Sequence, residues 1–235
     1  MNRLAFLLLL LAAPLPAAAK PATPPAAATS DSAAQSALVE RAVTLMHEGK
    51  LAEAVPLLDQ VIAAEEKAHA GEKRQIYSAS SLAETLIYMT LAATAKKEAV
   101  AFGPEWSLAL FLKGFALVDL GSADAAGPLF ERAVALSPGN SQYLAELGEW
   151  HKNRREWDRA YARFKSAEEF AGTVSEERRK PERSRALRGM GFVLIEQGKL
   201  DEAEKMFRKC LEIDPNDDGA KGELQYISDQ RRSRT

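Results

Sequence analysis

Apolar residues recur along this chain at three- and four-residue steps, and short polar or glycine-bearing breaks separate the runs. That is the pattern of a succession of amphipathic helices. Leu38, Ala42, Leu45 and Met46 share one face, Gly49 and Lys50 interrupt it, and Ala54, Leu57, Leu58, Val61 and Ile62 make the next. Pro56 is compatible with that second helix only near its start. Ser81-Leu82-Ala83-Glu84 reads as a capping box, which predicts a helix from there to about Phe102. Residues 73–106 are therefore expected to form a degenerate helix pair or a single long helix. Helices follow over Trp106–Leu120 and Ala123–Leu136, split at Gly121-Ser122. Two further pairs span Ser141–Ala171, with Arg155-Glu156 at the turn, and Ser184–Pro215. Between them Thr173–Arg183, densely charged and containing Pro181, is expected to be a solvent-exposed insertion. Asp218–Gln230 is polar enough to close the array as an outer helix.

The runs repeat. Leu110, Gly114, Ala126, Phe130 and Ala133 return 34 residues later as Leu144, Gly148, Ala160, Phe164 and Ala167, and again as Leu187, Gly191, Ala203, Phe207 and Cys210. A helix–turn–helix unit of that length cannot bury its apolar face alone, so units must stack. Glycine and alanine at fixed places let two helices approach closely, while leucine and phenylalanine fill the space around the contact. Cys210, the single cysteine, stands where the other units carry alanine, which makes it a small buried thiol; it has no partner for an intramolecular disulfide.

These residues resemble the tetratricopeptide repeat family, whose pattern places a large residue, Leu-Gly and Tyr in the first helix and Ala, Phe, Ala and Pro in the second. Leu144, Leu147-Gly148, Ala160, Phe164 and Ala167 follow it, as do Gly191, Gly198, Ala203, Phe207 and Pro215. Leucine replaces the tryptophan, and Leu117, His151 and Leu194 replace the tyrosine. The resemblance implies an all-α, right-handed superhelical solenoid over residues 35–230. Its units would be 35–68, 73–106, 107–140, 141–174 and 184–217, with a cap over 218–230 and a basic tail over 231–235.

The resemblance also implies a concave face lined by the first helix of each unit. Its partner-binding candidates here are Leu108, Phe111, Phe115 and Val118, then Glu149 and Lys152, then Arg185, Arg188 and Phe192. Four apolar residues on one such helix call for a cover, either the chain's own 82–102 helix or a neighbouring unit, or a partner peptide or helix laid in the groove. Arg185 and Arg188 have two readings as well, a grip on an acidic partner group or pairing with Glu149. The terminal-carboxylate clamp of some relatives is not expected, because Val43 and Phe115 occupy positions where it would want asparagine.

Composition narrows the class. A net charge of −2 provides no basic face for nucleic acid, and 46% hydrophobic residues with 27% charged ones fit a folded globular chain. Met1–Ala19 reads as a signal peptide, with Arg3 ahead of the apolar run Leu4–Ala13 and Ala17-Ala18-Ala19 as the cleavage site. The run is too short for a membrane span, so the expectation is an exported, periplasmic or secreted protein without a transmembrane anchor. Residues 20–34, rich in proline and alanine, are expected to be a flexible leader. His47, His69 and His151 are isolated, and neither a metal-binding spacing nor a nucleophile motif occurs. No cofactor, metal or catalytic residue is therefore assigned. The expected function is non-catalytic binding of another protein or peptide, as a scaffold or adaptor. The alternatives are a homo-oligomeric structural protein, a carrier of a small apolar ligand, and an enzyme acting on an envelope polymer through Glu149 and His151.

Overall fold

The computed structural model describes residues 26–233. The signal peptide, the first part of the leader, and Arg234 and Thr235 at the end of the basic tail lie outside the described residues. Helices dominate: α1 (Ala26–His47), α2 (Leu51–Ala68), α3 (Leu82–Thr94), α4 (Glu105–Asp119), α5 (Ala123–Leu136), α6 (Ser141–Asn153), α7 (Trp157–Phe170), α8 (Glu176–Glu196), α9 (Leu200–Ile213) and α10 (Asp218–Arg232). The pairs α1/α2, α4/α5, α6/α7 and α8/α9 stack in sequence, and α10 packs on α9 as the cap. The fold is an all-α solenoid of helix–turn–helix repeats.

The recurring glycine is explained by the recurring phenylalanine. A Cβ at Gly114 would stand 2.7 Å from the Phe130 ring, one at Gly148 would stand 2.9 Å from Phe164, and one at Gly191 would stand 2.6 Å from Phe207. In each pair the second helix thus lays an aromatic ring directly on the backbone of the first, closer than any side chain would allow. Three of the four turns within pairs use glycine at positive φ: Gly49, Gly121 and Gly198. In the third pair Arg155 takes that place at φ 58°. A left-handed conformation costs an L-residue about 1–2 kcal/mol, whereas glycine there costs only its extra chain entropy, about 0.5–1 kcal/mol. Arg155→Gly is therefore expected to raise the unfolding free energy by about 0.5–1 kcal/mol, measurable as a higher urea midpoint with an unchanged slope.

Three sequence-based expectations are corrected. First, residues 73–106 form neither a helix pair nor one long helix. Strand β1 (Gln75–Ser78), helix α3 and strand β2 (Ala99–Phe102) make a small parallel β-α-β unit. The Ser81 cap is present, its hydroxyl accepting from Glu84 N at 3.2 Å, while the Glu84 carboxylate accepts from Ser80 N rather than Ser81 N. The helix stops at Thr94 because Lys96 adopts φ 54°, and Lys97 N turns back to Ala92 O. Because α2 packs directly on α4, the β-α-β unit is an insertion between the first and second repeats. Second, residues 173–183 are largely exposed, as expected, but they are wound into helix rather than set apart as an insertion. A 3-10 turn (Ala171–Thr173) leads into α8, whose added N-terminal turns carry Glu176 and Glu177 at the positive end of the helix dipole. There Arg178 forms an ion pair with Glu182 one turn on. Third, α1 begins at Ala26, inside the expected leader, where successive alanines favour helix.

Candidate protein-interaction surface

The repeat register assigns the inner face to the first helices of the pairs, α1, α4, α6 and α8, and its two halves differ in chemistry. On α4, Phe111 is 1% exposed and Phe115 7%. Phe111 stacks on Tyr143 of the next repeat, with ring centroids 4.5 Å apart, and meets Phe130 at 6.0 Å. Phe111 and Phe115 therefore belong to the core, contrary to their assignment as free partner-binding anchors. Leu108 and Val118 are half-buried at the edge of the same cluster. The cover over this apolar row is the solenoid itself, the neighbouring-unit alternative among those set out for it.

The inserted helix does not lie over Phe111. Tyr88 and Ala92 of α3 pack with Tyr77, Ala79, Ala99 and Ala101 in a separate cluster, and Tyr88 rests against Gly139 in the turn between α5 and α6. On the other side of the sheet Phe102 stacks on His69 at 3.9 Å, and His69 in turn faces Trp106 at 5.8 Å and pairs with Glu65. Beneath β1 opens a cleft of about 590 Å³ lined by Lys73, Arg74, Lys97, Glu98 and Trp106.

The second half of the inner face is polar and pairs with itself. Arg185 donates to Glu146 at 2.6 Å. Burial alone would lower its pKa, but the charge and hydrogen bond of Glu146, together with the nearby Glu149 and Glu182, outweigh that and raise it. Arg188 donates to Asp217 at 2.5 Å, in a cleft of about 580 Å³ between α8 and the α9–α10 turn. Lys152 pairs with Glu149 at 2.6 Å and lies 4.9 Å above the Phe192 ring, a cation–π contact. Burial raises the pKa of Glu223 on α10, with Lys152 nearby drawing it back. The sequence identified the right arginines but the wrong carboxylate: Glu146 and Asp217 hold them, not Glu149. Glu146 sits on the same face of α6 as Glu149, three residues earlier, so the helical period marks both as candidates and the offset between α6 and α8 selects Glu146.

The groups considered for chemistry have structural partners. His151 is 2% exposed, with Nδ1 2.7 Å from Glu156 Oε2, so it fills the place of the repeat's tyrosine and ties the tight turn at Arg155. Glu149 is held by Lys152, away from it. Cys210 is buried with its sulfur 3.7 Å from Ser184 O, and burial together with Asp217 pushes the thiol up to about 11. At neutral pH it carries almost no thiolate. Among the described residues no cluster of three or more His, Cys, Asp or Glu could hold a metal ion, and no helix is long and apolar enough to cross a membrane.

This stack of paired helices, with Gly beneath Phe in successive units, defines a tetratricopeptide-type solenoid. Tetratricopeptide repeat models match residues 139–216 and 108–140, so the second to fourth helix pairs are tetratricopeptide repeats. Two solved structures share the fold. The Pseudomonas aeruginosa pilF structure is 17% identical over 87% of this chain and 72% of that one, with a TM-score of 0.59. MamA (41–end) from Desulfovibrio magneticus RS-1 is 13% identical over 84% of this chain and 85% of that one, with a TM-score of 0.58. Among curated proteins none matches the sequence.

Proposed function

We infer that the protein is an exported, non-catalytic scaffold of the periplasm or cell envelope that holds a segment of another protein against the inner face of its C-terminal repeats. The observation that carries this reading is Phe192, a half-buried aromatic ring on the inner face of α8, bordered by Lys152 and Glu149 of α6. An aromatic ring set among charged groups that already satisfy one another is suited to receive an apolar side chain. Such rings anchor interfaces, and the polar groups around them set orientation. Phe111 and Phe115 cannot serve this way, since both are committed to the core. The export part of the reading rests on Arg3, the Leu4–Ala13 run and Ala17-Ala18-Ala19.

The test is cross-linked capture from intact cells, comparing wild-type protein with a Lys152→Ala, Phe192→Ala variant shown by circular dichroism to keep its helices. A protein co-captured by the wild type and lost with the variant is expected, followed by direct binding of the purified pair. Identical captures would remove the inner face as the site. Fractionation with mass analysis of the mature chain tests export, the expected product beginning at Lys20.

A further inference from the structure

The two edges of the inserted sheet are treated differently. The outer edge of β1 is met by the solenoid at its C-terminal end, where Ser137 Oγ donates to Ser78 O at 2.6 Å, and Ile76 O accepts from the neighbouring Gln75 Nε2 at 3.2 Å. The outer edge of β2 is open. In the parallel register Gln75↔Ala99, Val100 and Phe102 turn their backbone groups to β1, while Ala99 and Ala101 turn theirs outward. Those outward N–H and C=O groups have no partner among the described residues. Natural edges are blunted by very short strands or by a charge, a proline or a bulge; this strand is short, with Lys96, Lys97 and Glu98 ahead of it, and its own four residues carry no further block.

The helix above that edge is equally unfinished. Of the five exposed large hydrophobic residues among those described, three are on α3: Leu82 at 75%, Leu86 at 60% and Leu91 at 39%. Its buried stripe runs through Tyr88 and Ala92. At helical spacing Leu82, Leu86 and Met89 continue round one flank, and Ile87 and Leu91 round the other. Whichever flank turns toward the β2 edge is apolar.

We propose that two copies of this chain dimerise through β2, pairing antiparallel about Val100 into one four-stranded sheet with both α3 helices on the same face. In that register Ala99 faces Ala101 of the second copy and Ala101 faces its Ala99, which satisfies every outward group of both strands. A two-fold axis perpendicular to the sheet keeps both helices on one side. Each α3 lies over its own pair of strands, so the two helices are two strand spacings apart, about 9.6 Å. That falls within the roughly 8–10 Å at which helices pack, and the apolar flank that faces the β2 edge is covered by the mate. Charge agrees. Lys96 and Lys97 have no acidic partner among the described residues and fall beside the Gly103–Glu105 corner of the second copy. Glu105 there accepts a hydrogen bond from Ser36 at 2.7 Å but holds no cation. This interface uses no residue of the inner face, so it stands or falls separately from the scaffold reading.

Sedimentation equilibrium of the purified protein across the micromolar range tests the proposal, together with two variants. Ala101→Pro deletes an outward donor while leaving the ladder to β1 intact. Val100→Cys places two thiols across the two-fold at a non-hydrogen-bonded pair, within reach of a disulfide. The native Cys210 is buried and does not compete. The expected results are a concentration-dependent wild-type dimer, at least ten-fold weaker dimerisation of Ala101→Pro, and a covalent dimer of Val100→Cys on mild oxidation that Leu120→Cys, remote and exposed, does not form. A wild-type protein that remains monomeric overturns the proposal. So does a dimer in which Val100→Cys fails to cross-link, whatever Ala101→Pro does.

Discussion

Phe111→Asp is expected to lower the unfolding free energy by at least about 4 kcal/mol, which is enough to leave the repeat array partly unfolded at ambient temperature. Two losses combine. Removing a fully buried phenylalanine costs about 3–5 kcal/mol through lost burial and the cavity left behind. The incoming carboxylate then sits against Tyr143 and Phe130, where burying a charge costs still more. The hydroxyl of Tyr143 shows how dry this region is, since burial drives its pKa upward. Urea unfolding followed by far-UV circular dichroism measures the effect. A shift below about 1 kcal/mol would mean that Phe111 lies on a yielding surface, and the anchor role inferred from its place in the repeat would be restored. The practical consequence concerns binding assays: a Phe111→Asp protein that captures nothing reports a broken fold, whereas the Lys152 and Phe192 positions separate binding from folding.

The sequence showed the repeats and concealed the insertion for one physical reason. Gly114, Gly148 and Gly191 must lie beneath Phe130, Phe164 and Phe207, so the same two residue types recur at the same spacing and the period can be seen without coordinates. No such pairing governs residues 75–102. Gln75-Ile76-Tyr77-Ser78 and Ala99-Val100-Ala101-Phe102 are short apolar runs, and periodicity cannot tell a four-residue strand from a helical turn. The capping box at Ser81 announced a helix correctly but says nothing about where a helix ends. The inner face was legible in part. Repeat register assigned Arg185, Arg188 and Phe192 to it, and of these Arg188 and Phe192 are half-buried while Arg185 is committed to Glu146. Register could not show that Phe111 meets Tyr143, because that contact depends on how tightly consecutive units close on each other. Similarly, Arg185 pairs with Glu146 through the offset between α6 and α8, a quantity that spacing within one helix does not contain.

Phe164→Ala is expected to do more than destabilise: it should split one unfolding transition into two. Phe164 is fully buried, and its ring is the surface on which two other helices rest. A Cβ at Gly148 of α6 would be 2.9 Å from it, and one at Gly189 of α8 would be 2.6 Å away. Among the described residues no other phenylalanine is shared by two glycines in this way. It also lies at a seam. The buried residues of α1, α2 and α4 to α6 form one cluster, which also takes in Ala167 of α7 and Ala186 of α8, while Ala160 and Phe164 belong to the cluster of α8 to α10. Truncation to alanine costs about 3–5 kcal/mol, or roughly 10 °C in melting temperature for a chain of this size. In a linear array that cost falls on the coupling between neighbouring units, which is what makes the units melt together. Phe130→Ala, of equal size but wholly inside the first cluster, should lower the midpoint and leave a single transition. Fluorescence of Trp106, on the N-terminal side of the seam, and Trp157, beyond it, distinguishes the two cases when each is kept as the sole tryptophan. Coincident curves in Phe164→Ala would show that the coupling runs through the α7–α8 contact as a whole and not through this ring.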